Sequence, residues 1–296
     1  MRVTDRQQLL ERQRVLQTAT GNLDRTQQQL SSGRRINIAS DDPQGTALAL
    51  AHRADIANGV QMRRNIDNGT AFLNATETAL SGATDLIQRA RELTVQASNG
   101  TLSDQDKQAI AKEVDQITQE MVQIGNTNFG GAYIFAGHKT QTPAFTFSGS
   151  PLATVTYQGD NGQRLHQISK DESVATNVIG STVFGSVFSD LISLRNTLNT
   201  PGATPATIGG SISALDGALD RIVQARADVG ARVNRFDLTK SRSEDSDTNL
   251  TKLRAQLEEV DLTSTVVQFN AEQNALQAAL GAIGKTANLS LVNFLQ

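Results

Sequence analysis

Leucine recurs every seven residues at Leu9, Leu16, Leu23 and Leu30, and the positions between are mostly polar, with Gln13, Gln17, Asp24, Arg25 and Gln28 among them. One leucine per heptad makes a helix with a single narrow apolar stripe, too thin to bury itself in a globular core. Burying four leucines falls well short of the entropy lost in ordering the segment Thr4–Ser32. The helix is therefore expected to be ordered only against a partner. The last stretch, Leu262 to Leu295, offers a matching stripe of Leu262, Val266, Phe269, Leu276, Leu280 and Ile283. This pattern predicts that the two ends pair as coiled-coil strands and pair again with neighbouring subunits of an assembly.

The pattern in between is also helical at first. Ser31-Ser32-Gly33 is a fitting C-terminal break. After the linker Arg34–Ala39, Ser40 or Asp41 can cap a second helix with Pro43 in its first turn. Ile66, Leu73, Leu80 and Ile87 are again seven apart, and Ala83, Ala90 and Ala97 fill companion positions. A helix from Pro43 to Ala97 would be about 80 Å long at 1.5 Å per residue. Gly45, Gly59, Gly69 and Gly82 weaken it. Asn99-Gly100 marks a turn, and Ser103 with Asp106 reads as a variant capping box. A third helix with Ile110, Val114, Ile117, Met121 and Ile124 should run antiparallel to the second, because their connection is short.

At Asn126 the character changes. Glycines at 130, 131, 137, 149, 159 and 162 punctuate short runs over 132–135, 144–147, 154–157 and 164–168. These predict a small β-rich insertion over about 129–180, with Gly159-Asp160-Asn161-Gly162 as a hairpin turn. Helical periodicity returns near Val187–Leu198. It continues through Ile208, Ile212, Leu215, Leu219, Ile222, Val229, Val233 and Phe236, broken only by Arg226. Arg226 would snorkel at an edge or act as a polar seam residue. The polar stretch Ser241–Asn249 reads as a bend or an exposed helical face. Beyond Leu250, Leu253, Leu257 and Val260, Asp261 can cap the final helix.

The expected fold is mainly α: a long coiled-coil-like bundle formed by the N- and C-terminal regions, with a small β-rich domain inserted in the middle. Its segments are an assembly helix and linker over 1–42, a helical rod over 43–128, the insertion over 129–186, a returning rod over 187–260, and a second assembly helix over 261–296.

Charge and composition narrow the function. With 27 Lys+Arg against 30 Asp+Glu there is no basic excess for nucleic acid or an anionic membrane. Aromatics are only 4% of the chain, which favours long helices over a dense globule, and the absence of cysteine removes thiolate chemistry and disulfides. No apolar run approaches the ~18 residues of a membrane span, and Met1–Gln7 has no apolar signal region. Ala279–Thr286 resembles a phosphate-binding loop but has Ala279 where the first glycine belongs and no strand before it. A nucleotide-binding protein or enzyme is thus the weakest alternative. His52, His138 and His166 lie in no metal-ligand spacing. Asp41-Asp42 lacks the rest of a calcium loop and is better explained by capping. No catalytic residue, cofactor or metal is expected.

Two motifs carry a family resemblance. Ser31–Asn37 followed by Ser40–Gly45, and Arg89–Gly100, resemble the signatures of the bacterial flagellin superfamily. Gly131–Phe145 resembles the entry to the β domain of that superfamily's hook–filament junction branch, and Pro43 stands where filament flagellins usually carry a small residue. The resemblance implies an extracellular structural protein of the flagellum, exported without signal cleavage through the type III apparatus. Its partners would be copies of itself in a ring or tube, the first hook-associated junction protein, flagellin, and a cytoplasmic export chaperone. It also implies an assembly role for Leu9, Leu16, Leu23, Leu30, Phe269, Leu276, Leu280, Ile283, Leu291 and Leu295. A filament flagellin is the alternative within the superfamily.

Overall fold

The computed structural model describes residues 2–294 along the backbone and residues 6–7 and 10–284 in full. Leu295 lies outside the described residues, and the side chains of Leu9 and Leu291 lie outside those described. The chain forms two compact units, Met1–Gly59 with Asp245–Gln296, and Val60–Glu244. Two long helices, α2 (Pro43–Ala97) and α6 (Pro205–Glu258), supply residues to both units.

The core of the Val60–Glu244 unit follows the heptads. Ile66, Leu73, Leu80 and Ile87 of α2 are all 0% exposed. On α6 the large side chains of Ile208, Leu215, Ile222, Val229 and Phe236, again every seventh residue, are 0% exposed, Ala218 is buried between them, and Ile212, Leu219 and Val233 are half-buried. Two helices that bury the same period can keep facing seams in register over many turns. The helix α3 (Asp104–Gly125) adds Ile110, Val114, Ile117 and Met121. It opens on the Ser103–Asp106 capping box, whose reciprocal bonds hold the Asp106 carboxyl below its usual range. It runs antiparallel to α2, with Arg89 2.7 Å from Glu113. Arg226 sits at the seam edge, where its Nε donates to Glu77 Oε1 at 2.8 Å. The stretch 241–249 is helical, and α6 is continuous through it.

Gly69 on α2 marks a close approach. A Cβ there would stand 2.5 Å from Cε2 of the fully buried Phe236. Gly69→Ala gains roughly 1 kcal/mol of helix propensity but overpacks a site that has no room, at a cost of about 1–3 kcal/mol. Urea unfolding should show a net loss for Gly69→Ala and a larger one for Gly69→Val.

The insertion is three separate antiparallel hairpins. They are β1 (Asn128–Phe129) with β2 (Ala132–Tyr133), β3 (Phe145–Ser148) with β4 (Thr154–Tyr157), and β5 (Leu165–Ser169) with β6 (Glu172–Ala175). The expectation that Gly159–Gly162 turns a hairpin is corrected here, because the strands it joins, β4 and β5, do not pair. Asp160 is the physical reason. Its Oδ1 accepts from the backbone N–H of His138 at 2.8 Å and of Gly162 at 2.9 Å, tying the segment to the loop after β2. The true turns are Gly130-Gly131, both at positive φ, the Gly149–Ala153 loop and Lys170-Asp171.

The few aromatics are concentrated rather than spread. Phe145 packs on Tyr157, Phe184 and Phe188 with ring centroids 5.2, 5.7 and 4.9 Å apart, and Phe135 meets Phe184 at 5.0 Å. This cluster joins the hairpins to α4 (Gly180–Phe184) and α5 (Val187–Asn199). His166 is placed by packing: its Nδ1 lies 3.0 Å from Thr176 Oγ1, and burial pushes its pKa down.

Candidate assembly interface

In the other unit, α1 (Arg2–Ser32) and α7 (Leu262–Phe294) lie antiparallel. Thr26, only 2% exposed, donates to Glu272 Oε2 at 2.5 Å. Leu16, Leu23 and Leu30 are half-buried on α1, and Phe269, Leu276 and Ile283 are half-buried on α7. Those two triplets share the seven-residue period, and Ala19 and Thr26 on α1 and Thr265, Glu272 and Ala279 on α7 fill the seam beside them, so it runs along a different line of α7 from the stripe drawn from the sequence. Leu262, Val266 and Leu280 do not face α1 but point outward, with Leu280 53% exposed. A second set of apolar residues is also exposed: Leu10, Val15 and Val267. The sequence did hold a signal for them. Leu9-Leu10, Val15-Leu16 and Val266-Val267 are adjacent apolar pairs, and residues one apart on a helix cannot share a face. In the Val15-Leu16 pair, Leu16 turns toward α7 and Val15 outward.

The two helices are tied together where they meet the rest of their unit. Gly33 takes φ +67°, a left-handed conformation that ends α1. Its carbonyl accepts from Val260 N–H at 3.1 Å, and Arg34 pairs in a short antiparallel bridge with Glu259. Arg35 donates from its backbone to Glu258 O at 2.6 Å and from Nη2 to Leu257 O at 2.8 Å. Arg53 closes the other side, 2.7 Å from the buried carboxylate of Glu258. The α1–α2 and α6–α7 connections are thus one clasp.

Capping departs from expectation in one detail. Asp42, not Ser40 or Asp41, caps α2: its Oδ1 accepts from Gly45 N–H at 2.8 Å. Asp41 instead accepts from the N–H groups of Asn37 and Ile38, each at 3.0 Å, and folds the linker. At the other junction Asp261 caps α7 through Thr263 N–H at 2.9 Å. The donated backbone hydrogen bonds hold Asp41 and Asp42 below the ordinary carboxylate range. A depressed folded-state pKa stabilises the linker above the unfolded value of about 3.9, and the effect is lost as pH falls through the lowered values. The amide NMR shifts of Asn37, Ile38 and Gly45 should therefore move together only below about pH 4.

Ala279–Thr286 lies inside α7, so the likeness to a phosphate-binding loop has no loop behind it. Among the described residues no group of three or more potential ligands could hold a metal ion, and no helix is long and apolar enough to cross a membrane.

Terminal helices paired with each other, a helical body between them and a small hairpin insertion define a flagellin-type structural subunit. The profile of the bacterial flagellin N-terminal helical region matches residues 5–140, and that of the C-terminal helical region matches residues 212–295. The chain belongs to the bacterial flagellin family. It is 29% identical to the flagellar filament 30.7 kDa core protein of Treponema maltophilum over 93% of this chain and 90% of that one. It is 28% identical to flagellar hook-associated protein 3 of Escherichia coli over 89% of this chain and 90% of that one. Among solved structures, FlgL of Bacillus cereus superposes with a TM-score of 0.61 at 25% identity, covering 69% of this chain and 99% of that one. A flagellar hook-associated protein of Vibrio parahaemolyticus superposes at 0.68 with 22% identity, covering 74% and 100%.

Proposed function

We propose that this chain is a structural subunit of the bacterial flagellum that forms the junction zone between hook and filament, and that the α1/α7 pair is its assembly element. The observation that carries the assembly reading is where the apolar surface lies. Among the described residues, ten of the sixteen exposed large hydrophobic side chains fall in the Met1–Gly59/Asp245–Gln296 unit, which is little more than a third of the chain. A solitary soluble protein rarely leaves so much apolar surface in one place. Leu10, Val15, Val266, Val267 and Leu280 would be covered by neighbouring copies, while Leu16, Leu23, Leu30, Phe269, Leu276 and Ile283 hold the pair together. Leu9, Leu291 and Leu295 belong to the same assembly role. Placement at the junction is supported by the similarity to hook-associated protein 3 of E. coli and by the FlgL fold.

On this reading residues 1–42 and 261–296 are the assembly segments, 43–128 and 187–260 the rod, and 129–186 an outward-facing insertion. The subunit is exported without signal cleavage through the flagellar type III apparatus, and a cytoplasmic chaperone covers one terminal stripe beforehand. It meets the first hook-associated protein on one side and flagellin on the other. Gold-labelled antibody on intact flagella tests this: label confined to a short zone at the hook end supports it. The second reading, a filament subunit, is favoured by the Treponema filament proteins at 28–29% identity, and label along the whole filament would establish it instead.

A further inference from the structure

The β3–β4 hairpin leaves both of its edges unprotected. Gln158 N–H donates to Ala144 O at 2.8 Å, so the ladder bonds run through the pairs Thr146–Thr156 and Ser148–Thr154, on either side of Phe147–Val155. The N–H and C=O groups of Phe147 and Val155 therefore point away from each other, off the two edges. The other outward residue of β3, Phe145, is already met: its N–H donates to Asn126 Oδ1 at 2.8 Å and its carbonyl accepts from Asn126 Nδ2 at 2.7 Å. Among the described residues no hydrogen bond reaches the Phe147 backbone from outside the hairpin, and its side chain is 61% exposed. Exposed edges are usually blunted by charge, proline, a bulge or a cover. The β5–β6 hairpin has a register shift and Lys170-Asp171-Glu172 at its turn. By contrast, β3 and β4 pair without a shift and contain no proline, and no residue from Thr140 to Gly159 is charged.

The β4 edge borders a groove of about 490 Å3 that it shares with α5. Val155, Phe188 and Ile192 give the groove an apolar floor, Ser189, Ser193 and Thr197 give it a hydroxyl rim, and no residue lining it is charged. An occupant suited to it is an extended, uncharged strand that hydrogen-bonds to Val155 and carries an apolar side chain at that position, as when a strand adds to a sheet edge. The β3 edge meets each requirement. We infer that β4 of one copy receives β3 of a second copy of this chain, with Phe147 seated over Phe188 and Ile192. The two edges lie on opposite sides of one hairpin, so the contact is head-to-tail and passes from copy to copy without a twofold axis. One pair of backbone bonds contributes little alone, and repetition through an assembly supplies the rest. The inference goes beyond the subunit reading and rests on it only in that copies must meet.

The chain has no cysteine, so thiol cross-linking has no background within it. Cells whose only source of this protein is a mixture of two full-length variants with different tags, Phe147→Cys and Ser193→Cys, supply flagella that are treated with a short bismaleimide. The expected product is a mixed dimer, with no dimer from flagella carrying either variant alone. Val155→Pro on the Ser193→Cys chain removes a donor that the hairpin itself does not use, and should slow the mixed cross-link roughly fivefold. Ser189→Glu on the same chain, at an exposed position, should slow it as well by bringing charge into the cleft. Circular dichroism and the tag content of the flagella check that each variant folds and is incorporated, and if Val155→Pro does not fold, Ser189→Glu decides. The inference is overturned if no mixed dimer forms, if like variants join, if another flagellar protein is captured instead, or if the rate ignores the substitutions. A chain absent from the flagella overturns this contact and the subunit reading together. If the chain is present at the hook end and no mixed dimer forms, this inference fails and the subunit reading stands.

Discussion

Deleting residues 1–32 should abolish assembly altogether while leaving the Val60–Glu244 unit folded. That unit holds the α2, α3 and α6 heptads, the hairpins and the aromatic cluster within itself. None of its fully buried side chains comes from α1. Loss of α1 has a different effect on the other unit. It removes the partner of Phe269, Leu276 and Ile283 and leaves Glu272 without Thr26. An isolated helix with so thin a stripe is marginal in water, so α7 should lose order along with α1. Hydrogen exchange on the truncated chain should find α2 near Leu73–Ile87 protected and α7 exchanging at close to free-chain rates. In the intact monomer the α1/α7 pair should exchange faster than α2, because its seam is only half-buried. A truncated chain that still joined hooks to filaments, or an α7 that kept full protection without α1, would contradict this account.

How far the sequence reveals the fold depends on what sets each element. Heptads at Ile66–Ile87 and Ile208–Phe236 are legible because a single period decides which face is buried, whatever the partner. Helix ends at Gly33, Pro43 and Ser103 are legible because each rests on a local backbone requirement. Hairpin pairing is different. The choice between β3 and β5 as the partner of β4 is made by Asp160 reaching the His138 amide, a contact between residues 22 apart. Local composition gave Gly159–Gly162 every mark of a turn and said nothing about that reach. The same holds for Gly69, which reads as a helix weakness until Phe236 is seen lying across it. At the assembly element the stripe of Leu16, Leu23 and Leu30 was visible as a period. The outward residues Leu10, Val15 and Val267 were not, because a reading that seeks one seam ignores the apolar neighbour beside it.

The largest single-residue effect should come from Arg195, which has no place in any apolar pattern yet is 5% exposed. It extends from α5 toward α3, and its Nη1 donates to Asp115 Oδ1 at 2.6 Å and to the Leu152 carbonyl at 2.5 Å. Its Nη2 donates to Asn196 Oδ1 at 2.9 Å, while Asp115 Oδ2 accepts from Gln119 at 2.9 Å. One guanidinium therefore joins α5, α3 and the β3–β4 loop, and its fixed fork suits a site where three acceptors must be met at once. Arg195→Met keeps much of the volume but leaves the largely buried Asp115 carboxylate without its cation and the buried Leu152 carbonyl without this donor. Breaking a buried pair from one side costs about 3–5 kcal/mol, which for a unit of this size lowers the melting temperature by roughly 10 °C. Arg195→Lys should recover only part of the loss, since a point charge cannot serve all three acceptors. Pairing Arg195→Met with Asp115→Leu removes the stranded charge as well, so the double variant should be more stable than Arg195→Met alone. Thermal unfolding of the three variants decides the matter. If Arg195→Met melted within a degree or two of the parent, the guanidinium would be a passenger in the packing of α3 and α5 rather than the group that holds them in register.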